Sequence, residues 1–184
     1  MADVSSRLLS EAGEHAAPAV LPAATPSSDP HLITLVELLF IAYRDFTREA
    51  DAMLAQYRLG RAHHRVLHFV NRHPGLRVAD LLDILKITKQ SLARVLKQLV
   101  DEGWIAQRCG ERDRRQRLLF VTEKGARLAA CLDSVQARRV AQAMPQAGTG
   151  QQRAIARFLF AMIAPEERRG VDALLPVRGG GDRV

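Results

Sequence analysis

The sequence predicts a mainly α chain carrying one small β-hairpin, and three observations support that fold class. Apolar residues recur at three-and-four spacing over most of residues 32–163, the period of an amphipathic helix. Only two short runs, about 104–108 and 117–121, read as strands, being rich in Ile, Leu, Phe and Val. The stretch joining them, RCGERDRRQR at 108–117, holds five arginines in ten residues. Eight residues separate the strands, too many for a two-residue turn, so a long basic loop is expected.

The elements follow in order. Residues 1–30 are rich in Ala, Pro and Ser and are expected to form a flexible N-terminal arm; 31–175 are the expected folded domain. Residues 176–184, with three consecutive glycines, are the expected flexible tail. Residues 32–55 place Leu32, Leu35, Val36, Leu39, Phe40, Tyr43, Phe46 and Ala50 on one helical stripe. After Gly60, a helix over about 61–72 puts His63, Val66, Leu67 and Val70 inward. His73-Pro74-Gly75 stops it, because proline disfavours helical geometry in the residue before it.

Val78, Leu81, Leu82 and Leu85 then mark a short helix. Thr88 is placed to cap the next one, since its hydroxyl can accept a first-turn N–H. That helix, about 88–102, turns Leu92, Val95, Leu96 and Leu99 inward and Lys89, Gln90, Arg94 and Lys97 outward. No acid occurs from residue 84 to 100, and Gly103 ends the helix. Beyond the strands, Thr122-Glu123 opens a helix running through Leu128, Cys131, Leu132 and Val135, which assigns Cys131 to the core. QAGTG at 146–150 is a break, and a last helix aligns Ile155, Phe158, Leu159, Met162 and Ile163.

Charge narrows the function. The chain of 184 residues carries a formal net charge of +7, which suits an anionic partner. Residues 86–117 hold nine of the Lys and Arg residues against four acids, so most of the excess sits in one segment. Only two cysteines occur, with no metal-type spacing, and no stretch is long and apolar enough for a signal peptide or membrane span. A cytoplasmic protein with free thiols is expected. Motifs for phosphate loops, dinucleotide binding and serine hydrolases are missing, so neither an enzyme nor a cofactor is expected.

A short helix, a tight turn, a second helix bare of acids and a basic hairpin make a winged helix-turn-helix, here about 61–122. Flanking dimerisation helices are expected at about 32–56 and 123–175. The physics fits double-stranded DNA. A recognition helix enters the major groove with its N-terminal side chains at base edges, and an arginine-rich wing suits the narrow, negative minor groove. Thr88, Lys89, Gln90, Ser91, Arg94 and Lys97 are the expected helix contacts, and Arg112, Arg114 and Arg115 the expected wing contacts. Glu111 and Asp113 are expected to shape the loop through neighbouring arginines. A winged-helix protein-interaction module without specific DNA binding is the alternative, although such a module has no need of these basic residues.

The run LRVADLLDILKITKQSLARVLKQLVDEGWIAQRCGERDRRQRLLFVTEKG resembles the DNA-binding core of MarR-type transcriptional regulators. The resemblance includes the EGWI exit from the recognition helix, the RDRR wing and the TEKG start of the next helix, and it extends over about residues 32–165. GRAHHRVLHFVNRHPG with ITKQSLARVLKQL is similar to the PetP-like branch. The resemblance implies a bacterial homodimer with interlocking first and last helices, two winged modules on a pseudo-palindromic operator, and release by a small ligand or oxidant. The peroxide-sensing branch carries a reactive cysteine in its first helix; residues 32–56 have none, so that mechanism does not transfer.

Two further features stay open. Phe40, Tyr43 and Phe46, with His63 and His64, are candidates for lining a small-molecule pocket, or are plain dimer core. Cys109, beside Arg108 and near Arg112 and Arg114, is either an oxidisable thiol or an inert surface cysteine. His64 and His68 are four apart on one helix, but no further ligand is in sight and no metal site is expected.

Overall fold

The computed structural model describes residues 29–110, 113–144 and 148–175, with backbone alone at 148 and 149. The expected arm and tail therefore fall, apart from residues 29 and 30, outside the described residues. Seven helices and three strands follow one another among those described. They are α1 (Pro30–Ala55), α2 (Arg61–Arg72), β1 (Leu76–Arg77), α3 (Val78–Leu85), α4 (Lys89–Asp101), β2 (Ile105–Cys109), β3 (Arg117–Val121), α5 (Glu123–Ala143), α6 (Gly148–Ala161) and α7 (Arg168–Leu174).

The described residues up to 39 and those from 40 onward form two separate compact units. In the first, the opening turn of α1 is fastened by the Asp29 carboxylate, which accepts from the His31 N–H at 2.9 Å. Its apolar side chains Leu32, Leu35, Val36 and Leu39 are exposed.

The second unit holds the core. Ala50 and Leu54 from the end of α1 are buried with Val66, Leu67 and Val70 of α2, Leu81 and Leu85 of α3, and Leu92, Val95, Leu96 and Leu99 of α4. Leu59, Trp104, Ile105, Leu119, Leu128 and Leu132 complete it. The sheet order is β1-β3-β2, all antiparallel, with Leu76 opposite Leu119 and Ile105 opposite Val121. The hairpin is as expected. β1 is additional: two residues after the Pro74-Gly75 turn, held to the sheet by Leu118 and Leu119 from far along the chain.

Local chemistry fixes the ends. Thr88 caps α4 by accepting from the Ser91 N–H at 3.1 Å, and Thr122 caps α5 by accepting from the Gly125 N–H at 3.1 Å. Each such cap is worth about 1 kcal/mol. α4 stops at Gly103, whose φ of +72° lies in the left-handed region that glycine enters without strain. The residues after it tie the hairpin base to both helices. Trp104 donates through Nε1 to Glu102 at 3.0 Å, meets Tyr57 edge-to-face at 5.2 Å, and carries the Lys124 ammonium over its ring at 3.7 Å.

Three expectations change. Cys131 is exposed, not core. The buried face of α5 is set by Gly125, Leu128, Ala129 and Leu132, and one residue before Leu132 the helix has turned through about 100°, which points Cys131 outward. His63 is half-buried, and its neighbour His64 takes the place in the buried stripe of α2. The last helix, expected to carry Met162 and Ile163, ends as α6 at Ala161, and a further helix, α7, follows, with Arg168 donating back to the Ile163 and Ala161 carbonyls at 2.9 and 2.8 Å.

Candidate nucleic-acid interface and adjoining cavity

The N-terminal turn of α4 gathers Lys89, Gln90 and Ser91 on an exposed surface, with Arg94 and Lys97 exposed along the same helix. Burial of Leu92, Val95, Leu96 and Leu99 on the opposite side fixes this presentation, because a helix with a committed apolar stripe cannot rotate. The hydroxyl of Thr88 is occupied as the cap and donates to Ser91 Oγ at 2.9 Å, so Thr88 sets where Lys89 to Ser91 point. Lys97 is bound by Asp101 at 2.5 Å, an exposed pair one turn apart that gives up its partner cheaply.

The tip of the hairpin is ordered by backbone contacts. Gly110 N–H donates to the Gln116 carbonyl at 3.1 Å and Gln116 N–H to the Asp113 carbonyl at 3.0 Å. The Asp113 carboxylate accepts from the Arg115 N–H at 2.9 Å, so among the described residues it shapes the loop through the backbone. Arg114 and Arg115 are left exposed at the tip. Glu111 and Arg112 lie outside the described residues. Lower on the hairpin, Arg108 stacks over Phe120 at 4.8 Å and Arg117 donates to Cys109 Sγ at 2.8 Å. Among the described residues, two of the five loop arginines thus have side-chain partners within the hairpin, and Arg114 and Arg115 at the tip have none there.

A second site adjoins this module. A cavity of about 580 Å³ is lined by Tyr43, Phe46 and Thr47 of α1, Arg61, His64, Arg65, His68 and Phe69 of α2, and Gln136 of α5. That volume suits a small organic molecule. Of the five residues named as ligand candidates, Tyr43, Phe46 and His64 line it; Phe40 and His63 do not. Phe40 is 70% exposed. His63 is fully employed elsewhere: Nδ1 accepts from the Gly60 N–H at 3.1 Å, which leaves the proton on Nε2 to donate to Gln98 Oε1 at 2.9 Å. It joins the start of α2 to α4.

The polar groups around the cavity differ in how well they are satisfied. Arg61 is bound by Asp51 at 2.8 Å and His68 by Asp133 at 2.8 Å. Among the described residues, Arg65 reaches only a neutral acceptor, the Leu85 carbonyl, at 3.2 Å. His64 is 9% exposed and its Nε2 has no hydrogen-bond partner among the described residues. Burial holds its pKa below the ordinary value, and the neighbouring His68 pushes the same way. In the sequence, the polar members of this lining show only as a stripe: 61, 64, 65 and 68 follow helical spacing.

Comparison with known proteins agrees with this architecture. The sequence profile of the MarR family matches residues 59–116. The HTH-type transcriptional regulator PetP of Rhodobacter capsulatus is 45% identical over 142 residues, covering 77% of this chain and 86% of that protein. Among solved structures, a MarR family regulator from Listeria monocytogenes in complex with a 26mer DNA superposes with a TM-score of 0.62 at 21% identity, over 81% of this chain and 97% of that one. FabT of Streptococcus pneumoniae in complex with DNA gives a TM-score of 0.62 at 16% identity, over 71% and 94% of the two chains.

Proposed function

The chain belongs to the MarR family of transcriptional regulators, and we propose that it binds a pseudo-palindromic operator sequence-specifically as a homodimer. The observation that carries this reading is the exposed, acid-free start of α4, backed by a committed apolar stripe and followed by a hairpin with arginines at its tip. Lys89, Gln90, Ser91 and Arg94 read base edges in the major groove, with Thr88 as the cap that aims them. Lys97 exchanges Asp101 for a phosphate. Arg114 and Arg115, with Arg112, enter the minor groove, where guanidinium is attracted by the negative potential. The expected limits of the winged module, about 61–122, are kept in this reading.

The dimer follows from apolar surface. Leu32, Leu35, Val36, Leu38, Leu39 and Phe40 on α1 are exposed, as are Phe158, Leu159 and Met162 on and just beyond α6. Contiguous apolar faces of this kind seek a partner, and a two-fold pair of modules matches a pseudo-palindrome. No described helix is long and apolar enough to cross a membrane. We place the protein with bacterial DNA in the cytoplasm, as a binding protein with no catalytic role, and read the cavity between α1, α2 and α5 as an effector site.

The test is selection of bound duplexes from a random pool, then affinity by fluorescence anisotropy. A selected operator should bind at least about 10³-fold more tightly than scrambled DNA. Equal affinities would overturn the reading. Removing one phosphate-neutralising charge lowers the log–log salt slope by about 0.9, so Arg114→Ala, which removes two per dimer, should flatten it by about 2.

A further inference from the structure

We infer that the cleft between α4 and the hairpin seats one backbone phosphate of the operator, gripped by Lys97 from the helix and by Arg117 from β3. The inference rests on the reading of α4 as a major-groove helix and of the hairpin tip as a minor-groove wing. It adds a second ligand to the phosphate that Lys97 takes, and it places that phosphate in the duplex.

In a duplex, neighbouring major and minor grooves are separated by a single sugar-phosphate chain. A module that puts α4 in one groove and the hairpin tip in the next must straddle that chain. The space for it is present. A cleft of about 450 Å³ runs between α4 and the hairpin, with Leu96 and Val100 in its wall and Lys97, Asp101, Gln107 and Arg117 as its polar lining. Strand alternation aims Arg117 into it. Leu119 is in the core, so Arg117, two residues earlier on β3, leaves the same face of the sheet, as do Gln107 and Cys109 opposite them on β2. Arg108, which stacks over Phe120, belongs to the other face and is not in the cleft.

What the two cations hold in the free protein is easily exchanged. Among the described residues the Arg117 guanidinium donates to one acceptor, the Cys109 sulfur at 2.8 Å, and a thiol is a weak acceptor. Lys97 is bound to Asp101 at 2.5 Å, with the two side chains 76% and 56% exposed, and ion pairs in that setting contribute little. A phosphate gives each cation a charge-assisted hydrogen bond, roughly twice as strong as one between neutral groups. Lys97 and Arg117 against Asp101 also leave the lining positive, which draws the anion in. Because one cation comes from the helix and one from the sheet, a phosphate seated here fixes the register of both on the duplex.

The probe is the operator duplex synthesised with a methylphosphonate, a neutral replacement for one phosphate, moved stepwise along both half-sites and read by fluorescence anisotropy. In the wild-type protein it should weaken binding about tenfold at the phosphate between the bases read by α4 and the minor-groove step entered by the tip. Arg117→Gln should bind the unmodified operator about tenfold more weakly and flatten the log–log salt slope by about 2, one charge from each subunit. It should lose most of its response to that one methylphosphonate and keep the wild-type response elsewhere. Lys97→Gln should lose its response at the same phosphate, and Arg117→Lys should recover part of the affinity. Selection from a random pool should return the same bases for Arg117→Gln as for wild type, because phosphate contacts carry no base code; a shifted preference would make Arg117 a base reader instead. If the wild type tolerates the methylphosphonate at that phosphate, or if Arg117→Gln keeps its full response there, the clamp is wrong and the reading of α4 and the wing stands. If the wild-type protein binds the selected duplex no more tightly than scrambled DNA, both fall.

Discussion

Gly125→Ala should be the most damaging single-methyl change in the described fold. Gly125 is in the first turn of α5 and is buried. A Cβ built there meets the carbonyl oxygen of Trp104 at 2.0 Å, far inside an ordinary van der Waals contact, and the carbonyl carbon at 3.1 Å. Neither side can yield freely. Trp104 is 3% exposed, its N–H donates to the Leu99 carbonyl at 2.8 Å, and its own carbonyl accepts from the Thr122 N–H at 3.1 Å. Relief requires α5 to lift from the hairpin base, straining or breaking the Thr122 bonds that start the helix. Overpacking costs about 1–3 kcal/mol, and a broken hydrogen bond about 1 kcal/mol more. Against this, alanine gains about 1 kcal/mol over glycine in helix propensity. The balance is a loss of about 1–3 kcal/mol, a fall in midpoint of roughly 2–12 °C for a chain of this size. Urea denaturation followed by Trp104 fluorescence reads it directly, since the only tryptophan is at the point of collision. A variant within about 0.5 kcal/mol of wild type, the range of an ordinary surface change, would refute the reasoning.

Other outcomes follow from the same geometry. Gly150→Ala, in α6 with nothing within 4 Å of the added carbon, should raise stability by about 0.5–1 kcal/mol, and a drop on thermal melting would show a contact there. Thr88→Ala should cost about 1 kcal/mol in denaturation and also weaken operator binding, whereas Thr88→Ser should restore both; unchanged operator affinity in Thr88→Ala would remove the cap from any role in aiming α4. His64 is held neutral in the fold, so the unfolded chain takes up its proton near the ordinary 6.5 and the folded protein only at lower pH. Stability should therefore fall as pH drops below about 6.5 and level off once the folded imidazole is also protonated, and His64→Gln should lose that part of the pH dependence in melts between about pH 7 and 5.

How much the sequence reveals follows from how local each feature is. The face of α4 is legible because its determinants are all on one helix: a threonine cap, a leucine–valine stripe at 92, 95, 96 and 99, and no acid from residue 84 to 100. The hairpin is legible for the same reason, as two apolar runs flanking an arginine-rich loop. β1 is not, because a two-residue strand has no pattern of its own and exists only through its pairing with Leu118 and Leu119. α7 is hidden likewise: none of its residues is buried, so no apolar stripe announces it.

The cavity is the instructive failure. The aromatic stripe of α1 shows which residues share a side, but not where along the helix a neighbour begins, so Phe40 and Phe46 look equivalent in sequence while only Phe46 lines the cavity. On α2, His63 and His64 are adjacent, and periodicity places either in the stripe. What decides between them is Gln98, far along the chain on α4, which fixes His63 as a brace and leaves His64 facing the cavity with no Nε2 partner among the described residues. Arg65 escapes for a further reason. A charged residue on an amphipathic helix reads as solvated face, and its hydrogen bond to Leu85 leaves no trace in sequence because the acceptor is backbone, present at every position whatever the residue. Side chains that act on backbone carbonyls escape pattern reading in general. The search for such residues must start from carbonyls at helix ends, where an unpaired acceptor is always present and something must bind it.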